Sequence, residues 1–347
     1  MPRGPAPFGL ALAVFVALLT AASSMTASAQ ARLDGLPRFK AIDAPAQTKD
    51  LGRGINILGH ERSFETGQGM HFKEVYFRRI AAAGFRTVRV PQYLLDHSDA
   101  EGRFDPLWLA KMDWVVRLAT RNGLNVVIDN NGGCSREGAA CLERTARAWG
   151  SLARHYRQAP NTVLFELYNE PDGAITPDLW NAGVAKILAA IRTSNPTRNL
   201  IVGTAHAYNL RDLAALQLPT GDRHIIATFH YYEPYAFTHQ GGAWLPPDRR
   251  PPLGARFGTP AEVTELSRNF DYVAAWSAWY HRPIFLGEFG ALEAADLGDR
   301  VLWTTLVARA AEQRGFAWAY WQFDGDFTAY DDAREAWVEP VLRALMP

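Results

Sequence analysis

Two glutamates, Glu170 and Glu288, are the residues of this sequence best placed to do chemistry. Glu170 belongs to the tripeptide Asn-Glu-Pro at 169–171, which directly follows an apolar run, and Glu288 ends a second apolar run that begins at Pro283. Such a run is typical of a buried strand, and the proline stops it from continuing. Two carboxyl groups at strand ends can divide a reaction between them, because one donates a proton while the other, ionised, acts as base or nucleophile. Taken alone, Asn-Glu-Pro is equally consistent with a simple turn.

The segments that must position these glutamates alternate between short apolar runs and helical patterns. Strands are predicted at 54–58, 87–91, 125–129, 162–168, 199–203, 224–230, 283–288 and 316–321. Helices are predicted at 72–83, 106–122, 142–158, 177–194, 209–215, 260–281, 298–314 and 334–345. Because parallel neighbours need helical crossovers, this alternation predicts an α/β protein with a closed (β/α)8 TIM barrel in a single domain. The alternative, an open doubly wound sheet, usually carries a glycine-rich phosphate loop after an early strand, and this sequence lacks one.

A closed barrel would bring to one face the polar and aromatic residues that follow the strands. They are Arg89, Asn131, Asn169, Glu170, His230, Tyr232, Glu288 and Trp321. Two carboxyl groups on that face, without a metal or cofactor motif, favour glycoside hydrolysis. Arg89 is expected to lie beside Glu288 and keep it ionised, whereas a negative neighbour and partial desolvation raise the pKa of Glu170. Arg89 could instead serve only to pair with a structural carboxylate such as Glu166.

The first 29 residues have the composition of an export signal. Arg3 precedes an apolar core from Phe8 to Ala22, and Ala27-Ser28-Ala29 fits the small-residue cleavage rule. The sequence therefore predicts a signal peptide at 1–29, a leader at 30–50, a catalytic domain at 51–347, and a secreted or periplasmic location. Loss of Arg3 changes 36 basic and 36 acidic residues to 35 and 36, a net charge of −1. This balance offers no electrostatic footprint for nucleic acid and no polybasic membrane patch.

Aromatic residues and the two cysteines carry further expectations. The chain has eleven tryptophans, and the long loop after the sixth predicted strand contains Trp244, which could be a sugar platform or simply an anchor for its loop. Cys134 and Cys141 are expected to form a disulfide in an exported protein. Two thiols without nearby histidines do not make a zinc set, so no metal is expected. No cofactor is expected either.

Six short motifs, in order along nearly the whole chain after residue 50, carry a resemblance to a known family. They are Gly54-Ile-Asn56, Val88-Arg89-Val-Pro91, Leu167-Tyr-Asn169-Glu170-Pro171, His230-Tyr-Tyr232, Pro283-Ile-Phe-Leu-Gly-Glu288-Phe-Gly290 and Trp318-Ala-Tyr-Trp321. Together they resemble glycoside hydrolase family 5, the large cellulase family. The resemblance implies a retaining mechanism, with Glu170 as acid/base and Glu288 as nucleophile.

The same resemblance implies supporting roles around the reacting sugar. Asn169 would hold the sugar 2-hydroxyl, Tyr232 and Arg89 would tune the nucleophile, His230 would lie beside the sugar, and Trp321 would form its platform. Family members commonly carry histidine where this chain has Asn131, so the resemblance does not extend to that contact.

The expected function is that of a monomeric endo-acting hydrolase of β-1,4-glucan, with a polysaccharide or oligosaccharide as its partner. Within the same fold, β-mannan, xyloglucan and mixed-linkage glucan are alternative substrates, and exo action is an alternative mode. From other classes, a non-catalytic carbohydrate-binding barrel would be expected to lack a carboxylate, and both are present. A glucan transglycosylase would share every catalytic residue and differ in how well water is excluded.

Overall fold

A closed barrel of eight parallel strands forms the centre of the molecule. The computed structural model describes residues 33, 35–57 and 72–347, so the predicted signal peptide and the end of the first predicted strand, Leu58, lie outside the described residues. The strands pair in sequence order, and β1 closes the barrel by pairing with both β2 and β8. They are β1 Arg53–Asn56, β2 Thr87–Gln92, β3 Asn125–Asn130, β4 Val163–Glu166, β5 Leu200–Gly203, β6 Ile225–Tyr231, β7 Ile284–Phe289 and β8 Ala317–Tyr320.

Helices enclose the barrel, and most of them cover the outer faces of its strands. They are α1 Ala44–Leu51, α2 Glu74–Ala82, α3 Pro106–Arg121, α4 Ala139–His155, α5 Pro177–Arg192, α6 Pro260–Tyr280, α7 Leu297–Gln313 and α8 Glu339–Leu345. Asp105, Thr176 and Thr259 cap α3, α5 and α6, and each precedes a proline that suits the first helical turn. In the described part of the chain, no helix is both long and apolar enough to span a membrane.

Helix α1 lies at the end of the segment predicted as a leader and extends one residue beyond it, and it closes the end of the barrel opposite the carboxyl ends of the strands. Its Ala44 and Leu51 are fully buried against inward-facing residues of the barrel strands, among them Val127, Leu164 and Phe285. Thr87 at the start of β2 donates its hydroxyl to the Leu51 carbonyl at 2.7 Å. Sequence reasoning did not predict this helix, because its short polar segment carries little helical periodicity.

Most predicted elements are found within a few residues of their expected bounds, and two differ in kind. The predicted helix at 209–215 is a 3-10 helix, Leu210–Ala215, started by the Asn209 side chain, which accepts from the Arg211 amide at 2.9 Å. The prediction of a helix from 334 was wrong over its first residues. That segment forms a hairpin of β9 Tyr330–Asp331 and β10 Ala336–Trp337, because the Tyr330 and Trp337 rings pack against each other across it.

Candidate active site

A cavity of about 880 Å³ opens at the carboxyl ends of the barrel strands, where (β/α)8 proteins bind their ligands. The predicted site residues that line it are Asn131, Asn169, Glu170, His230, Tyr232, Trp244, Glu288 and Trp321. Arg89 is the exception, because it is fully buried beneath the cavity floor. The barrel therefore brings together residues that are distant in sequence, as the strand-end prediction required.

Arg89 on β2 is the centre of a buried hydrogen-bond network. Its Nε and Nη2 atoms donate to the two carboxylate oxygens of Glu166 at 2.7 and 3.0 Å, which is a bidentate pair. Its Nη1 donates to Glu288 Oε1 at 2.7 Å and to Asn56 Oδ1 at 2.9 Å, and its Nη2 also donates to Asn169 Oδ1 at 2.8 Å. All five N–H groups of the guanidinium are thus used. Both roles expected of Arg89 are found, since it pairs with the buried carboxylate of Glu166 and with Glu288.

The charges around Arg89 are unequal, because three carboxylates lie close to one cation. Asp129 Oδ2 lies 3.2 Å from the guanidinium and is fully buried, like Glu166. Burial alone would lower the pKa of Arg89, but the charges of Asp129, Glu166 and Glu288 outweigh it and raise that pKa well above its ordinary value. Burial raises the pKa of Asp129 well above its ordinary value, and Arg89 only partly opposes this. Arg89 is therefore a permanent positive charge under the site.

Glu288 on β7 is held from two sides. Arg89 binds Oε1, and the Tyr232 hydroxyl donates to Oε2 at 2.8 Å. Burial raises the pKa of Glu288, whereas His230, Arg89 and the Tyr232 hydrogen bond oppose that rise. The sequence analysis predicted the stabilising effect of Arg89 and the tuning by Tyr232, and the structure adds the desolvation that works against both. Both oxygens are fixed in orientation by charged or hydroxyl donors.

Glu170 follows β4 in an unusual backbone conformation. Its φ of 48° lies in the left-handed region, which non-glycine residues seldom adopt and which is found disproportionately at functional sites. Burial raises the pKa of Glu170 to about 7, with Arg89 opposing and Asp172 and Glu166 adding to the rise. A carboxyl group with such a pKa can donate and recover a proton near neutral pH.

His230 connects the two glutamates. A register shift between Phe229 and His230 at the β6–β7 pairing sets His230 opposite Glu288, and such irregularities commonly re-aim side chains beside active sites. His230 Nδ1 lies 2.6 Å from Glu170 Oε1 and 3.6 Å from Glu288 Oε2. Burial lowers the pKa of His230 to about 4, so the ring is neutral near pH 7. A neutral imidazole can hydrogen-bond Glu170 in either of its protonation states, depending on the tautomer.

The separation of the two carboxylates decides which chemistry they can share. One ligand atom each from Glu170, His230 and Glu288 all lie within 4.8 Å of one another. Retaining glycosidases hold their carboxyl groups about 5–5.5 Å apart, whereas inverting enzymes need about 6.5–9.5 Å to admit a water. The same three residues could in principle bind a cation, but each already has a hydrogen-bond or ion-pair partner, and the buried Arg89 charge repels a cation there.

Asn131 and Asn169 form a linked pair at the edge of the site. Asn169 Oδ1 accepts from Arg89, so its amide nitrogen must point away from the guanidinium. That nitrogen donates to Asn131 Oδ1 at 3.0 Å. Asn131 therefore orients the residue beside Glu170, and because an amide does not titrate, this contact keeps the same charge at every pH.

Aromatic side chains form one wall of the cavity. Trp321 is nearly buried and packs with Leu292 and Phe327, while Tyr232 lies against the same cluster. Trp244 is 51% exposed, and its ring packs against Phe327 at 6.0 Å between centroids. A face of Trp244 thus remains open to the cavity, and the same ring also anchors its loop. Trp318 is fully buried in the core.

The predicted disulfide is present. Cys134 and Cys141 are bonded, with their Cα atoms 5.2 Å apart, and both are buried. The Cys134 amide donates to the Tyr168 hydroxyl at 2.7 Å, which joins the disulfide loop to the segment that precedes Glu170.

A model of the family Cellulase (glycosyl hydrolase family 5) matches residues 50–326. The chain belongs to glycosyl hydrolase family 5. Endoglucanase H of Acetivibrio thermocellus is 30% identical over 88% of this chain, and Endoglucanase 3 of Fibrobacter succinogenes is 26% identical over 82%. The chain spans 34% of the length of the first relative and 51% of the second.

Among solved structures, Cel5A of Thermotoga maritima in complex with cellobiose is 34% identical, with a TM-score of 0.83 over 87% of this chain and 100% of that one. The cellulose synthase subunit Z of Clostridioides difficile is 31% identical, with a TM-score of 0.81 over 86% of this chain and 100% of that one. The (β/α)8 barrel predicted from the sequence is thus the fold that this family 5 protein shares with its structural neighbours.

Several residues of this family 5 site were not predicted as site residues. Asn56 belongs to a motif noted in the sequence, and it braces Arg89 while its Nδ2 donates to the Gly287 carbonyl at 3.0 Å. Tyr235 and His239 stand in the long loop that was expected to be functional, and they stack at 4.1 Å. The remaining cavity residues without a local signal include Tyr93, His206, Asn209, Arg211, Asn269, Asp326 and Phe327.

Proposed function

We propose that this protein is a retaining endo-β-1,4-glucanase that hydrolyses soluble or amorphous glucan chains by double displacement. The observation that carries the proposal is that one carboxylate oxygen of Glu170 lies within 4.8 Å of one of Glu288, together with the different surroundings of the two groups. Glu288 carries two donors that stabilise its anion, and Glu170 has a pKa of about 7. These are the requirements for a nucleophile and for a group that is first acid and then base.

The first chemical step forms a bond between Glu288 and the anomeric carbon of the sugar. In that step Glu170 gives its proton to the glycosidic oxygen, and the shortened chain leaves. In the second step Glu170 removes a proton from a water, which attacks the same carbon and releases Glu288. Two inversions leave the anomeric configuration unchanged.

The residues around the two glutamates have supporting roles in this scheme. Arg89 and Tyr232 hold Glu288 as an oriented anion, and Asn169 would bind the sugar 2-hydroxyl. Trp321 offers a platform for the reacting sugar, and Trp244 offers an aromatic face further along the cleft. Asn131 orients Asn169, and His230 keeps Glu170 in place through both protonation states.

A second substrate class, β-1,4-mannan, is favoured by one observation. Cel5A of Thermotoga maritima, 34% identical, has also been solved in complex with mannotriose. Glucan and mannan differ in the configuration of the sugar 2-hydroxyl, the group proposed to bind Asn169, which is paired with Asn131. Hydrolysis of both polymers would therefore require that this pair of asparagines accept either configuration of the 2-hydroxyl.

The proposal is tested by product analysis on carboxymethylcellulose, mannan, xyloglucan and laminarin, with Glu288→Ala as the inactive control. On carboxymethylcellulose we expect the viscosity to fall rapidly while few reducing ends appear, which marks endo action. NMR should show products with retained anomeric configuration. Activity confined to mannan, xyloglucan or laminarin would refute the assignment of unsubstituted β-1,4-glucan as the substrate. Products of inverted configuration, or full activity in Glu288→Ala, would refute the mechanism.

The predicted setting of the enzyme is proposed as well: an exported, monomeric protein with its signal peptide removed after Ala29. N-terminal sequencing of protein recovered from the periplasm or medium, together with light scattering, tests the cleavage site and the oligomeric state.

A further inference from the structure

The turn that follows β5 contains three consecutive left-handed residues, none of them glycine. His206, Ala207 and Tyr208 have φ values of 52°, 56° and 57°. Each L-residue in this conformation costs free energy, because its Cβ crowds the following carbonyl. A run of three persists only where the surrounding contacts impose it. His206 and Ala207 line the cavity that contains Glu170 and Glu288, so the strained turn lies beside the proposed catalytic groups.

Two hydrogen bonds of this turn reach residues that come before and after Glu170 in the chain. The Tyr208 hydroxyl donates to the carbonyl of Tyr168, two residues before Glu170. The Ala207 amide donates to the carbonyl of Pro171, the residue after Glu170, at 3.2 Å. One strained turn thus holds the backbone on both sides of a glutamate whose own φ is also left-handed.

The Tyr208 ring also fixes the histidine that binds Glu170. Tyr208 is fully buried and meets the His230 ring edge-on, with 4.9 Å between centroids and 78° between planes. On its other side the ring lies over Gly203, where a Cβ would come within 2.3 Å of it. Burial raises the pKa of Tyr208 well above its ordinary value, so the hydroxyl remains a donor at any working pH.

We propose that Tyr208, presented by this strained turn, is a positioning residue for the acid/base glutamate, because it holds both the strand end that carries Glu170 and the imidazole that Glu170 binds. The inference rests on the proposed acid/base role of Glu170. Tyr208 itself does not line the cavity, so its effect must pass through Tyr168 and His230.

Substrates with different leaving groups test this role. A sugar leaving group needs a proton from Glu170, whereas a dinitrophenolate leaves without one. Tyr208→Phe keeps the ring and removes the hydroxyl. We expect its kcat/KM on cellotetraose to fall about tenfold, a part of the 10²–10⁴-fold that general acid catalysis supplies, while kcat/KM on dinitrophenyl β-cellobioside stays within about twofold of wild type. A purely structural defect would lower both values together.

Two further variants keep the test decisive. Gly203→Ala displaces the ring without deleting it and should show the same split between substrates. Tyr156→Phe, a substitution at an equally buried tyrosine that packs on Phe165 and His155 instead, should match wild type on both. Thermal unfolding of each variant confirms that it is folded.

The outcomes separate this inference from the function on which it rests. Glu170→Ala should show a much larger split than Tyr208→Phe, and if it shows none, the acid/base assignment fails. A different outcome is that Glu170→Ala shows the split while Tyr208→Phe and Gly203→Ala either lose activity equally on both substrates or keep it on both. In that case the positioning role of Tyr208 is refuted and the assignment of Glu170 stands.

Discussion

Removing the Tyr232 hydroxyl should move the acid limb of the pH profile upward. Tyr232 donates to Glu288 Oε2 at 2.8 Å, and this hydrogen bond lowers the pKa of Glu288 by stabilising its anion. In Tyr232→Phe the anion loses that donor, so the pKa of Glu288 rises. Because Glu288 must be ionised to act as the proposed nucleophile, activity should then disappear at a higher pH than in wild type.

The size of the shift follows from the energy of one hydrogen bond. A hydrogen bond to a charged group contributes about 1.5–3 kcal/mol, and 1.36 kcal/mol corresponds to one pKa unit, so the limb could move by about one to two pH units. Water that enters the open cavity can replace part of the lost interaction, and Arg89 still binds the other oxygen at 2.7 Å. We therefore expect about one pH unit.

The measurement is kcat/KM on cellotetraose from about pH 4 to about pH 8, since this parameter reports the ionisations of the free enzyme. Because the two glutamates titrate as a coupled pair, the acid limb reports the first proton lost by the pair. This is the ionisation that the Tyr232 hydrogen bond affects. Tyr272→Phe, on the outer surface of α6, is the matched control and should leave the limb in place. An unshifted limb in folded Tyr232→Phe would show that this hydroxyl does not tune the nucleophile.

Four other measurements have expected outcomes. Because the pKa of Glu170 is raised to about 7, kcat/KM should decline on the alkaline side near pH 7. Glu170→Gln should remove this alkaline limb from the pH profile, and a limb that persists in the variant contradicts the assignment. The same group is easier to deprotonate in the unfolded chain, where its pKa is 4.5, so its contribution to stability should be present below that pH and lost as the pH rises through 7, as urea titrations can measure. Arg89→Met should lower the free energy of unfolding by about 3–5 kcal/mol, because it leaves buried carboxylates unpaired, and an unchanged value would mean that they are protonated without it. Leu51→Ala should cost about 2–5 kcal/mol in the same assay, whereas exposed Leu107→Ala should cost little; equal effects would show that α1 does not seal the barrel.

Local sequence was sufficient to predict the barrel and the face on which the two glutamates meet. A short apolar run that ends in a polar residue is visible without any structure, and its alternation with helical patterns restricts the fold to few arrangements. Glu170 and Glu288 could be predicted to lie together because the carboxyl ends of strands in a closed parallel barrel share one face. The hairpin at Tyr330 and the helix α1 escaped prediction, since their short segments are specified by contacts with distant residues.

Only the tertiary structure decided how these residues work together. The five hydrogen bonds of Arg89, the pairing of His230 with Glu170 and the Asn169–Asn131 contact all depend on the register between strands. Register in a closed barrel is set jointly by every strand and by the side chains packed inside it, so no local run of residues encodes it. The sequence by itself therefore determined which groups meet at the strand ends, while the closed barrel determined their separations, their hydrogen-bond partners and the burial that raises the pKa of Glu170.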